Sequence, residues 1–201
     1  MANSVSTQPP AAATPGHSSL LRVIAMVILA LIVLMGLAVL ITWLIIKPKQ
    51  LVYTIENGTV SNFNLNYNHL NASFDFKITV HNPNRRVSVY YDSFDVSLSY
   101  DDQTIAFNTL EPFHQPRRNV TQLETKVEAR DAALSGGLSK DLRHEKQSGK
   151  IQLDVRIKAR IRFKVGIWKT KHRTLRVLCP SVIAHFSSSK ISQRTYCDID
   201  Y

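Results

Sequence analysis

Residues 151–165, IQLDVRIKARIRFKV, alternate apolar and polar side chains over fifteen positions. Successive side chains of an extended strand point to opposite faces, so a period of two sorts them into two sets. One face collects Ile151, Leu153, Val155, Ile157, Ala159, Ile161, Phe163 and Val165. The other shows Arg156, Lys158, Arg160, Arg162 and Lys164 in unbroken succession. Same-face neighbours stand about 6.6 Å apart, so the five cations form a ridge of roughly 26 Å.

The same period recurs on both sides of this run. ASFDFKITVHN (72–82) sets Phe74, Phe76, Ile78 and Val80 against Asp75, Lys77, Thr79 and His81. DSFDVSLSYDD (92–102) aligns Phe94, Val96, Leu98 and Tyr100 and stops at an Asp-Asp turn, with TIAFNTL (104–110) as its partner strand. QLETKVEA (122–129) alternates through Leu123, Thr125 and Val127, and TLRVLCPSV (174–182) and RTYCDI (194–199) close the domain. Many short strands separated by turns predict a mainly β chain folded as an antiparallel sandwich or barrel, with the sandwich expected. DAALSGGLSKDLRHE (131–145) departs from the pattern. Its Leu134, Leu138 and Leu142 lie four apart, which predicts one short helix with a weak Gly-Gly inside, capping an end of the sandwich.

HNPNRRVSVYYD (81–92) interrupts two strands. Proline presets φ at the second position of a turn and asparagine tolerates the left-handed third, so Asn82-Pro83-Asn84-Arg85 reads as a type II hairpin corner with Arg85 and Arg86 exposed.

Ahead of the sandwich, VIAMVILALIVLMGLAVLITWLII (23–46) carries no charge. Twenty-four helical residues reach about 36 Å, enough to cross a hydrocarbon core of about 30 Å. The stretch exceeds the apolar core of a cleaved signal peptide and lacks a small-residue cleavage site, so it reads as an uncleaved signal anchor. The domains expected are a disordered cytosolic tail over 1–22, a transmembrane helix over 23–46 and an extracytosolic domain over 47–201. Arg22 on one side and Lys47 and Lys49 on the other do not decide orientation by charge. Sequons at Asn57, Asn71 and Asn119, and an even pair of cysteines, Cys179 and Cys197, which fits one disulfide, all follow the span. Both features belong to a non-cytosolic compartment.

Candidate chemistry is scarce. The sequence holds no Gly-x-Ser-x-Gly elbow, no His pair at metal-ligand spacing and no P-loop, so no catalytic residue, metal or cofactor is expected. Charge says more. Residues 140–176 hold 13 basic and 3 acidic side chains, including the ridge and the following Lys169, Lys171, Arg173 and Arg176. Like charges in a row repel, so five without an interleaved acid point beyond a solvated sheet face to a polyanion surface. Outside the cytosol the candidates are acidic cell-surface polysaccharide, such as that of a cell wall, or anionic lipid, and nucleic acid is not expected.

Several of these stretches occur together in one known family. The tail and span, KPKQLVYTIENGTVSNFNLN (47–66), HNPNRRVSVYYD, PFHQPRRNVT (112–121) and VLCPSV (177–182) with its second cysteine resemble the plant NHL proteins. These are relatives of non-race-specific disease-resistance and harpin-induced proteins, built on a late-embryogenesis-abundant type 2 (WHy-like) domain. Asn82, Pro83, Asn84, Arg85, Tyr90, Tyr91 and Asp92 match the family signature, although Ser88 stands where a glycine is usual. The resemblance implies a fibronectin-like sandwich without enzymatic activity. It also implies residence at the plasma membrane, in some members at plasmodesmata, and a role in defence or stress through unidentified protein partners, with self-association left open. The alternatives are a tether between membrane and wall that uses the ridge, and a cytosol-facing desiccation protectant with reduced cysteines and empty sequons.

Overall fold

A computed structural model describes residues 17–46, 49–186 and 194–200. Its contacts divide the chain into two units, Met1–Lys47 and Pro48–Tyr201. The first contributes one helix, α1 (His17–Ile46), and residues 19–41 of it are exposed on every side. Within it Ser19–Ile41 has a mean hydropathy of 3.2, long and apolar enough to cross a membrane. The helix begins earlier than the sequence suggests. No proline follows Pro15 until Pro48, and His17–Arg22 contains nothing that stops a helix, so these six residues join α1 and not the tail. Residues 1–16 of that expected tail lie outside the described residues.

The second unit is built from eleven strands and one helix. In chain order they are β1 (Val52–Asn66), β2 (His69–His81), β3 (Val87–Tyr100), β4 (Gln103–Leu110), β5 (Phe113–Gln115), β6 (Val120–Ala133), α2 (Gly136–Ser148), β7 (Lys150–Val165), β8 (Trp168–Lys169), β9 (Arg173–His185), β10 (Arg194–Tyr196) and β11 (Asp198–Asp200). The hydrogen-bonded path runs β4-β3-β7-β9-β1-β2-β6. Its two outer strands come back towards each other: Asn108 of β4 donates its amide to Lys126 O of β6 at 2.8 Å. The path is thus a sheet folded over into two layers around one core, the sandwich that the alternation predicts. Phe74, Phe76, Ile78 and Val80 of β2, Phe94, Val96 and Leu98 of β3, and Ile151, Leu153, Val155, Ile157, Ala159 and Ile161 of β7 are its interior. Phe163 is half-buried yet packs against this core, and Val165 is half-buried at the end of β7.

Three local features follow from residue chemistry. Asp101 and Asp102 turn β3 into β4 with φ of 45° and 61°, the left-handed pair that a two-residue hairpin of right-twisted strands requires. Ser135 caps α2 by accepting the N–H of Leu138, so Gly136 and Gly137 form its first turn and do not interrupt its middle. Leu142 of α2 is fully buried in the core. Gly58 lies where β1 touches β9 in parallel, opposite Ala184. A Cβ there would stand 2.9 Å from Phe76 and 3.0 Å from the Cβ of Ala184, so no larger residue fits that seam without movement.

Away from Gly58 the seam between β9 and β1 is filled by the C-terminal segment. β10 pairs with β1 through Thr54–Glu56, and β11 pairs with β9 through Arg176–Leu178. Cys197 sits between the two short strands, donates its N–H to Tyr53 O and is bonded to Cys179 of β9. RTYCDI is therefore two short strands hinged on a disulfide.

Candidate functional site

The NPN segment is not a hairpin corner. β2 pairs with β1 and β6, and β3 with β4, β5 and β7, so residues 82–86 carry the chain from one layer to the other. Asn84 is also absent from the residues with positive φ. A crossover leaves several backbone ends unpaired, and two buried asparagines take them up. Asn82, with no exposed surface, donates to the carbonyls of Val87 and Pro116, each at 2.9 Å. Its Oδ1 accepts from the N–H and the side-chain amide of Asn84. Asn84 in turn accepts the N–H of Lys49 at 2.7 Å and donates to Lys49 O at 2.9 Å. Arg118 N–H donates to Asn84 O, and Asn82 N–H to Asn119 O. Three separate segments, at 49, at 82–87 and at 116–119, are thereby fastened together.

The tyrosine pair extends this network into the core. Tyr91 points inward, its hydroxyl 2.6 Å from that of Tyr53 and donating to Gln115 Oε1 at 3.4 Å. Gln115, itself fully buried, donates to Val80 O at 2.7 Å. Tyr90 points outward, its ring 4.3 Å from that of His114 and 4.7 Å from Lys169 Nζ.

Asp92 connects the signature to the cationic ridge. The register slips by one residue between Tyr91 and Ser93, so Asp92 is a bulge residue facing outward. There its carboxylate receives two hydrogen bonds from the guanidinium of Arg162, and His172 Nε2 lies 3.4 Å away. The hydrogen bond from Arg162 is the chief reason that the Asp92 carboxyl titrates below the usual range, against an opposing effect of burial. Arg156 is paired with Asp102 at 2.8 Å. The ridge thus lacks an interleaved acid only along β7 itself, because neighbouring elements supply two. Among the described residues Lys158, Arg160 and Lys164 make no ion pair, although Asp95 stands opposite Lys158 in the ladder. A groove of about 450 Å³ opens beside the lower ridge between Arg156, Lys158 and Arg176 and the two acids of β11, Asp198 and Asp200. That half of the face is mixed in sign.

The other sequence candidates are dispersed. Asn71 is exposed, its Oδ1 accepting the N–H of Asp131 at 2.9 Å. Asn119 is half-buried and uses its carbonyl in the crossover network. Asn57 is the bulge residue between Glu56 and Gly58, and its side chain lies outside the described residues. Two strongly exposed apolar residues stand outside every sequence candidate: Ile167 and Trp168, 87% and 77% exposed at the tip between β7 and β8. Their isolation among polar residues, in GIWKTK, was the available signal.

A family model for late embryogenesis abundant protein, LEA_2, matches residues 77–179, which include the crossover, the ridge and the first cysteine. NDR1/HIN1-like protein 3 of Arabidopsis thaliana is 33% identical over 90% of this chain and 81% of its own length. The chain belongs to the LEA_2 family, in its NDR1/HIN1-like group. An uncharacterized Arabidopsis thaliana member is 38% identical over 87% of this chain and 80% of its own. NDR1/HIN1-like protein 10 of the same plant is 29% identical over 90% of this chain and 84% of its own. Membership fits a plant stress or defence role, and α1 is compatible with membrane anchoring.

Proposed function

We propose that this LEA_2 protein is a non-enzymatic, single-pass protein of the plasma membrane. Its sandwich lies outside the cytosol and acts in plant defence or stress by binding a partner there. The observation that carries this reading is the Cys179–Cys197 disulfide, which closes the C-terminal seam of a unit preceded by an exposed apolar helix. Disulfides persist in oxidising compartments and are reduced in the cytosol. Closing a loop of this size contributes about 3 kcal/mol in the chain-entropy model. A cytosol-facing protectant would forgo that contribution. Sequons at Asn57, Asn71 and Asn119 support the same side. The test is protease protection on intact microsomes, combined with a glycosidase shift on gels. Protection of residues 48–201 with a shift is expected; cleavage from the cytosolic side without a shift would overturn the topology.

A second reading, a tether between membrane and wall, draws on Lys158 and Arg160, which are exposed and make no ion pair among the described residues. Reversing these two should release the chain from acidic wall polysaccharide during plasmolysis without disturbing Arg162 and Asp92. Unchanged retention on the wall would count against it.

A further inference from the structure

The strongest charge asymmetry of the sandwich is not along the middle of the ridge but at the end to which it leads. Four segments converge there. Val87 stands opposite Val165, and Val165 opposite Trp168, which places the β7–β8 tip beside the crossover. Asn84 and Asn82 bring residue 49 and residues 116–119 to the same end. Residues 49–51, 82–88, 114–119 and 162–173 together hold ten lysines and arginines and no aspartate or glutamate. Lys49, Arg85, Arg86, Arg117, Arg118, Lys169, Lys171 and Arg173 are exposed. Asp92 reaches in to Arg162 and His172, and no acid reaches the exposed lysines and arginines of this end among the described residues.

From this cationic end projects a hairpin with an apolar tip. Gly166, at φ 58°, supplies the first central residue of a two-residue turn, and Thr170 fastens its base by exchanging bonds with Phe163 at 2.9 and 3.0 Å. The tip presents Ile167 and Trp168 to solvent between Lys164 and Lys169. An indole and an aliphatic side chain ringed by cations match the boundary between acyl chains and phosphate headgroups. Tryptophan concentrates there and basic residues are drawn to anionic lipid.

Connectivity supplies the reason that a membrane is the occupant. Lys49 follows Ile46, the last residue of α1, by three positions, and three peptide units extend no further than about 11 Å. Asn84 holds Lys49 to the cationic end by both its N–H and its carbonyl. We propose that this end docks on the bilayer that α1 crosses, with Ile167 and Trp168 inserted among anionic lipid headgroups and the eight exposed cations set against phosphate. The inference rests on α1 spanning a membrane and on the leaflet that faces the sandwich carrying anionic phosphate headgroups. Docking would fix how the unit stands on the surface and turn the α2 end outward, towards partners.

The test uses the full chain in lipid nanodiscs, where both bilayer faces are accessible. The sequence has two tryptophans, so Trp43→Phe leaves Trp168 as the chain's only tryptophan, read by excitation that spares tyrosine in discs with a tryptophan-free scaffold. Discs containing phosphatidylserine with brominated acyl chains should quench Trp168 and shift its emission to the blue. Pure phosphatidylcholine discs should do neither, and high salt should reverse the effect. Arg85→Gln and Arg117→Gln should each weaken docking about five-fold, the worth of one basic residue near an anionic surface. In the unsubstituted chain, a photoreactive phosphatidylserine should label residues 162–173. Water-like emission in both lipids, with no labelling, overturns the proposal. So does a blue shift caused by soluble polygalacturonate on neutral discs and absent with anionic lipid. A chain that fails to stay in the discs refutes the anchoring reading instead, which keeps the two failures apart.

Discussion

Asn84 and Lys49 are joined as two strands are joined: the side-chain amide takes the N–H of Lys49 at 2.7 Å and gives a hydrogen bond to its carbonyl at 2.9 Å. One side chain thus replaces a missing strand partner at the point where the chain enters the sandwich. Asn82 supports it with every donor and acceptor of its own amide occupied.

Asn84→Ala should therefore lower unfolding stability by about 1–3 kcal/mol, because the part-buried N–H and carbonyl of Lys49 lose their partner. Asn82→Asp is nearly isosteric yet should cost at least as much, because a carboxylate cannot donate to the carbonyls of Val87 and Pro116 and is costly to bury. Denaturant unfolding of both variants measures this. Stability unchanged in either would show that the network is not what holds the crossover.

The Asp92–Arg162 pair predicts a pH signature. Because the carboxyl titrates lower when folded than when unfolded, the pair contributes stability fully above the ordinary aspartate value of about 3.9. That contribution fades as pH falls through the lower folded value. The melting-temperature difference between the unsubstituted chain and Asp92→Asn should be constant at neutral pH and close towards zero in acid. A difference that widens in acid would contradict the assignment.

Gly58→Ala tests the β1–β9 seam. The added methyl would meet the side chain of Phe76 and both the Cα and the Cβ of Ala184, an overpacking worth about 1–3 kcal/mol. The sequon at Asn57 survives the change, so a glycan shift at that site should persist while thermal stability drops. A variant as stable as the parent would mean that the seam can open freely.

The long strands were legible because a half-buried sheet imposes period two on its sequence, as in 151–165 and 72–82. The strand at 52–66 was not singled out, since two bulges, at Asn57 and near Asn62, break its alternation. Turn chemistry misled at Asn82–Asn84. Proline and asparagine report local φ preferences, and nothing local states whether the strands before and after belong to the same layer. The amides that decide the matter bind residues 34 and 35 positions away. The ridge itself was visible, but its counter-ions were not. Asp92 lies 70 residues from Arg162 in sequence and reaches it only through a bulge. The apolar tip at Ile167 and Trp168 could have been read from the sequence as an alternation that ends without cause.

The central claim, a sandwich closed by a disulfide outside the cytosol, is tested most directly by the state of Cys179 and Cys197 in the living cell. Rapid acid quenching followed by a maleimide that adds mass should leave the full chain unshifted, and prior reduction should shift it by two additions, since these are its only cysteines. Two additions without reductant would contradict the account and return the sandwich to the cytosol.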